Sequence, residues 1–351
     1  MPDPRPPDSS LPVAARVPLL LLGMLSLVGG VSAGLMRLGW PVPAGGWVGW
    51  HGALMVSAFF GTVIGLERAV ALGRRWAFAG PLCSGLGGLG LIAGVPLPLP
   101  GILLALAAAI LSAATFLLHR RQPQFHSRVL TLAAVLWLYA ALAMLAGGTP
   151  LGAWIGFLVL TIAGERLELS RFLPPSPMAR RIFAIIVAGM LPALLWPDLS
   201  PLGVALVALA LWLLRQDVAR RTVRQAGLTR FIAVCLLSGY FWLAVGGVAM
   251  VAGAAWPRSG DAALHAVFLG FVFSMVFGHA PVIFPAIVRV RLPYHPLFYL
   301  PLLALHASLA LRVAGDLFDH GGAVALGGAF NAATLLLFVV TMLAAVWRGR
   351  A

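Results

Sequence analysis

The sequence predicts an all-α, polytopic membrane protein, and three observations carry the prediction. Of 351 residues, 61% are hydrophobic and only 10% are charged. Continuous apolar stretches of about 18 residues or more, the length a helix needs to cross the hydrocarbon of a bilayer, recur along the chain. Arginines gather in alternate connections between those stretches, the arrangement that sets topology in a membrane. Because the apolar runs are continuous and do not alternate every second residue, a β-barrel is excluded.

Arginine, proline and glycine punctuation divides the chain into about twelve spans. Residues 1-11, MPDPRPPDSSL, are proline-rich and predict a disordered cytoplasmic tail; residues 12-351 then form a single twelve-helix transmembrane domain. The first span, 16-38, is followed by no small-residue cleavage site and reads as a true span, not a removed signal peptide. Span 47-73 opens in the tryptophan-rich mouth PVPAGGWVGW and closes before Arg74-Arg75. Spans 78-97 and 101-119 flank VPLPLPG, and 127-147 runs from HRRQPQFHSR to GGTP. Span 150-172 ends in LTIAGERLELSRF, 180-196 ends at WPDLSP, and 199-215 leads into RQDVARRTVRQ. Spans 229-253 and 262-289 are joined by WPRSGD, and the last two, 297-314 and 322-347, by GDLFDHGG.

One side of this arrangement carries Arg5, Arg16, Arg74, Arg75, Arg120, Arg121, Arg128, Arg171, Arg180, Arg181, the 215-225 run, Arg289, Arg291 and the terminal WRGRA. The opposite connections hold Arg258 almost alone. The positive-inside rule therefore predicts a multi-pass protein of the bacterial inner membrane with both termini cytoplasmic. Trp40, Trp47, Trp50, Trp196 and Trp256 then form an aromatic belt at the outer interface. The formal charge of +14 belongs to these connections, so a lipid bilayer and no nucleic acid is the expected partner. Cys83 and Cys235 lie inside apolar segments without CxxC spacing and read as packing residues.

Polar residues inside the spans are where chemistry is expected. His51 and His265 each stand at the outer end of a span that runs from outside to inside, at depths matched within about one helical turn. Two imidazoles at one depth, each followed by small residues (Gly52, Ala53; Ala266), suit axial ligation of haem b. A histidine at a helix mouth that only reaches the interface or caps a carbonyl fits the same positions singly. All 24 basic residues are arginines, which suit anionic headgroups and carboxylates such as haem propionates.

Deeper lie His279, between Gly278 and Ala280-Pro281, and His306, midway along its span. Their spacing lets them face each other across antiparallel helices as a second haem or metal site, a proton relay, or hydrogen-bonded core histidines. Glu67-Arg68 and Glu165-Arg166 occupy corresponding places in spans 2 and 6, as ion pairs that fix helix ends or as a proton or ion network. Glu168 is placed to pair with Arg171 or Arg166. These correspondences suggest three four-helix units, with spans 2, 6 and 10 equivalent.

Twelve spans, a histidine at the outer end of span 2, another on span 10 and a threefold arrangement of four-helix units resemble subunit I of the haem-copper oxidase superfamily. The segment HAVFLGFVFSMVFGHAPVIFPAIVRVRLPYHP (265-296) is similar to its NnrS-like branch, membrane haem proteins linked to nitric oxide metabolism. The resemblance implies a haem-copper oxidase-like bundle, His51 and His265 as axial ligands of a low-spin haem b, and His279 and His306 nearer a second metal. The oxidases' span 6 histidine, span 7 His-His pair and span 10 His-x-His are absent, so a three-imidazole copper site is not expected. A carboxylate-rich set of His279, His306 and Glu165 suits non-haem iron better than copper.

Two functions follow. The first is a haem protein that senses, detoxifies or passes electrons to a diatomic gas such as nitric oxide, related as an enzyme to oxidases or nitric oxide reductases and served by a separate electron donor, since CxxCH is absent. The second is a cofactor-free proton- or ion-coupled transporter using Glu67, Glu165, His279 and His306.

Overall fold

The computed structural model describes residues 11–42, 45–169, 175–256 and 258–349, and among these there is no strand. Residues 1–10 of the predicted tail, and Arg171, lie outside the described residues. In chain order the helices are α1 (Val13–Arg37), α2 (Ala53–Leu72), α3 (Ala79–Ile92), α4 (Pro98–Arg121), α5 (Phe125–Leu145) and α6 (Leu151–Leu169). They continue as α7 (Pro177–Ala193), α8 (Ser200–Gln216), α9 (Gly227–Ala252), α10 (Ser259–Val288), α11 (Tyr299–Leu317) and α12 (Gly321–Arg348), with one further single-turn helix, Ala219–Thr222, between α8 and α9.

Eight of these segments are long and apolar enough to cross a membrane: α1, α2, α4, α5, α9, α10, α12, and α11 with the turn before it. Their outward faces are apolar too. Val17, Leu21, Leu25 and Val28 on α1, and Leu336, Val340, Leu343 and Trp347 on α12, are exposed at three- and four-residue spacing. A contiguous apolar stripe of this kind faces lipid or another protein, because water would drive it inward.

Helix ends fall where local chemistry puts them. Ser176 caps α7 by accepting the Ala179 N–H at 3.2 Å, and His320 caps α12 by accepting that of Ala323 at 3.1 Å. Gln124 and Ser127 form a reciprocal capping box at the start of α5. Gly73, with φ +68°, closes α2 by donating to the Ala69 carbonyl, a left-handed cap that other residues adopt less readily. Pro281 and Pro285 lie inside α10, which nevertheless continues to Val288.

By its internal contacts the chain packs as two compact units. The first comprises Met1–Arg37, Pro41–Thr161 and Ala286–Arg289, the second Leu38–Trp40, Ile162–Pro285 and Val290–Ala351. Three four-helix units are not what this packing separates. In the first unit α1, α2 and α3 pack on one another, α3 on α4, and α4 on α5. In the second, α8 packs on α9, α9 on α10, and α11 on α12. Glycine sets the α8–α9 approach: a Cβ on Gly203 would meet the Gly247 carbonyl oxygen at 2.5 Å. Such small-residue contacts let helices pack where apolar burial against lipid supplies little drive.

Candidate functional site

His51 follows a single 3-10 turn, Val48–Trp50, and its Nδ1 lies 2.7 Å from the Gly30 carbonyl of α1. A carbonyl only accepts, so Nδ1 carries the proton and the lone pair of the neutral ring sits on Nε2. Glycine at position 34 makes room for the ring, since a Cβ there would stand 3.0 Å from His51 Cε1.

The second unit contains the same arrangement twice. His265 Nδ1 is 2.8 Å from the Asp261 carbonyl, and His279 Nδ1 is 2.8 Å from the Met275 carbonyl, each one turn back on α10. Metal-bound histidines commonly have this form, with one ring nitrogen fixed to a carbonyl or carboxylate and the other directed to the metal.

His306 has the opposite tautomer. The Trp242 indole, which only donates, gives its N–H to His306 Nδ1 at 3.0 Å, with the rings stacked at 23°. Nδ1 is therefore the acceptor, and the remaining proton is on Nε2, a buried atom with no hydrogen-bond partner. In this state Nε2 has no lone pair to offer, so His306 does not fit the metal-ligand role predicted for it. Glu165, His279 and His306 are likewise not gathered into a metal-sized group among the described residues.

The backbone widens two residues after His51 and one residue after His265. Residues Ala53–Phe60 of α2 and Ala266–Phe273 of α10 are each eight-residue π-helical segments. This register is rare and concentrates at functional sites. The spacing repeats as well: α1 begins at Val13 and α9 at Gly227, and His51 and His265 are separated by the same 214 positions.

A cluster the sequence reading missed surrounds His265. Arg312 of α11 donates to Asp261 at 2.5 Å and to Asp316 at 3.1 Å, and Asp261 Oδ1 lies 3.5 Å from His265 Nδ1. Arg312 and Asp316 are buried, and Asp316 Oδ1 makes no hydrogen bond. Asp261, His265 and Asp316 offer ligand atoms within 4.8 Å of one another, but the Arg312 guanidinium already supplies a cation to both carboxylates. The i, i+4 spacings of Asp261 with His265 and of Arg312 with Asp316 were the available signal.

The predicted ion pairs divide. Arg68 and Glu67 meet at 3.5 Å, as the local pairing implied, and Arg68 borders a small cavity with Ile64, Leu111, Thr115, Leu130, Ala134 and Thr161. Arg166 is instead held by Asp217, through two bonds of 2.7 and 3.0 Å. The Tyr240 hydroxyl donates to the same carboxylate at 2.5 Å, and the Ala219 N–H at 2.8 Å. Burial pushes the Asp217 carboxyl upward, but the Arg166 bonds and charge, the tyrosine and the amide outweigh it and hold the group below its ordinary pKa.

The family model described as a domain of unknown function, DUF8744, matches residues 16–347. Neither the curated proteins nor the solved structures contain a match.

Proposed function

We propose, for a chain that belongs to the DUF8744 family, that it is a haem-binding protein of the bacterial inner membrane, with His51 and His265 as iron ligands. In this reading the helices form about twelve spans, both termini are cytoplasmic, and the protein handles a diatomic gas such as nitric oxide or passes electrons to it. The observation that carries the reading is the shared construction of the two histidines. Each has Nδ1–H fixed to a main-chain carbonyl, which puts the lone pair on Nε2, and each heads a π-helical segment of eight residues.

Bound haem b would supply a one-electron couple and an iron atom able to bind small gases. The chain's own groups do the rest. The Gly30 and Asp261 carbonyls hold the tautomer and orientation of the two imidazoles. Asp261, braced by Arg312, places a carboxylate 3.5 Å from His265 Nδ1, which strengthens that imidazole as a donor. At His51 that nitrogen meets the Gly30 carbonyl.

The optical spectrum of protein purified from haem-supplemented cells tests the reading. A Soret band is expected. His51→Ala and His265→Ala should each abolish it or convert it to a five-coordinate form, and His306→Ala should leave it unchanged. Absence of the band from the wild-type protein would end the haem reading in favour of the transporter.

A further inference from the structure

The π register of α2 needs an explanation from outside the helix. At its end, the Gly61 N–H turns to the carbonyls of Ala58 and Val56 and bypasses that of Ser57. The Ser57 carbonyl is met from α3, where the Ser84 hydroxyl lies 2.8 Å away and reaches the Ala58 carbonyl at 3.1 Å. The Thr62 hydroxyl also donates to Ala58, at 2.6 Å. Side-chain hydroxyls therefore cover carbonyls exactly where the wide register returns to the ordinary one.

The Ser57 side chain is tied as firmly. Its Oγ accepts the Trp137 indole of α5 at 3.2 Å and the Trp154 indole of α6 at 3.0 Å. Ser57, Ser84 and Trp137 are completely buried. Trp154 also runs back along the segment to its start, where a Cβ on Gly52, the residue after His51, would meet the indole at 2.9 Å. The web thus touches both ends of the π segment. A buried hydroxyl between two indole donors is expensive to disturb, since its removal strands two N–H groups.

We propose that Ser84, Ser57, Trp137 and Trp154 are positioning residues that lock the start of α2 in π register and thereby aim the His51 imidazole. A helix that relaxed to the ordinary register would turn the residues before the segment relative to those after it, by roughly the 100° of one residue. His51 would then lose its alignment with Gly30. The positional claim concerns the chain itself, and its consequence for iron rests on the haem reading above.

Two measurements on Ser84→Ala and Trp154→Phe test it, with Ser112→Ala as a control. Ser112 loses an equivalent hydroxyl-to-carbonyl bond, to Ala108 on α4, away from the segment. The first readout needs no haem: in detergent-solubilised, ¹⁵N-histidine-labelled apoprotein, the His51 Nδ1–H resonance should shift in both test variants and stay put in the control. In the haem-loaded protein, the low-spin ferric resonance should change, and haem should be retained about 10-fold less tightly, as for other losses of support behind a metal ligand. Trp154→Phe removes the indole N–H and leaves an aromatic ring in its place, so it breaks the web from α6 independently of Ser84. Folded variants with unmoved His51 resonances would overturn the proposal. A wild-type protein without haem would instead overturn the functional reading, and the resonance shift would still decide the positioning claim.

Discussion

At the scale of single residues, the direction of a hydrogen bond separates side chains that composition treats alike. His265 and His306 are both half-buried histidines on apolar helices, yet a carbonyl faces one Nδ1 and an indole N–H the other. Trp242 is 64 positions before His306, so local sequence held no sign of the tautomer it imposes. Asp217 is a parallel case: it lies 51 positions from Arg166, inside an arginine run that reads as topology alone. Its carboxylate is held below the ordinary value of about 3.9. The sign follows from that direction. The stabilisation is complete above the unfolded pKa and is lost as pH falls through the lower folded one. Thermal unfolding in detergent should show the wild type weakening below about pH 4. Asp217→Asn should be less stable at neutral pH, by about 3–5 kcal/mol for a buried cation left unpaired, and less sensitive to acid.

At the scale of helices, most boundaries were legible because they are written in local chemistry. The predicted 322-347 is Gly321–Arg348, and 199-215 is Ser200–Gln216. Proline, glycine and capping residues mark such ends within a turn or so of chain. Hydrophobic periodicity does not distinguish a π segment from an α-helix when every face is apolar, and ALMVSAFF and AVFLGFVF are apolar nearly throughout. The register therefore stayed hidden, although the histidines that precede it did not. Deleting Val56 should convert the first segment to ordinary helix, because π segments arise from one added residue. The deletion removes the residue that the wide register accommodates, so the turn of about 100° on relaxation is offset and His51 keeps its direction; the His51-dependent haem signal should be retained, with helix content by circular dichroism essentially unchanged. A lost signal would mean that the wide register itself, and not the direction it gives His51, is what the histidine needs.

At the scale of the molecule, all-helical architecture was legible in the continuous apolar runs, while the division into two compact units was not. That division is made by contacts between distant segments: Ala286–Arg289 belongs with the N-terminal helices, where Arg16 donates to the Ile287 carbonyl at 3.0 Å. No single stretch of sequence carries such a relation. Orientation is a different whole-chain property, set by where 24 arginines fall. A fluorescent protein fused to the C-terminus should be bright and alkaline phosphatase fused there inactive; the reverse pattern would invert the proposed topology.

The 214-residue spacing shared by helix start and histidine bears on ancestry. Matching spacing is the trace expected when one half-length precursor is duplicated, and it makes each copy a reference against which drift in the other is read. The positions that precede Asp261, Arg312 and Asp316 by that interval are Trp47, Pro98 and Ile102. Across that interval the imidazole recurs while its carbonyl anchor differs, Gly30 of α1 for His51 and Asp261 of its own helix for His265, and the second histidine stands beside an acidic pair sharing one arginine.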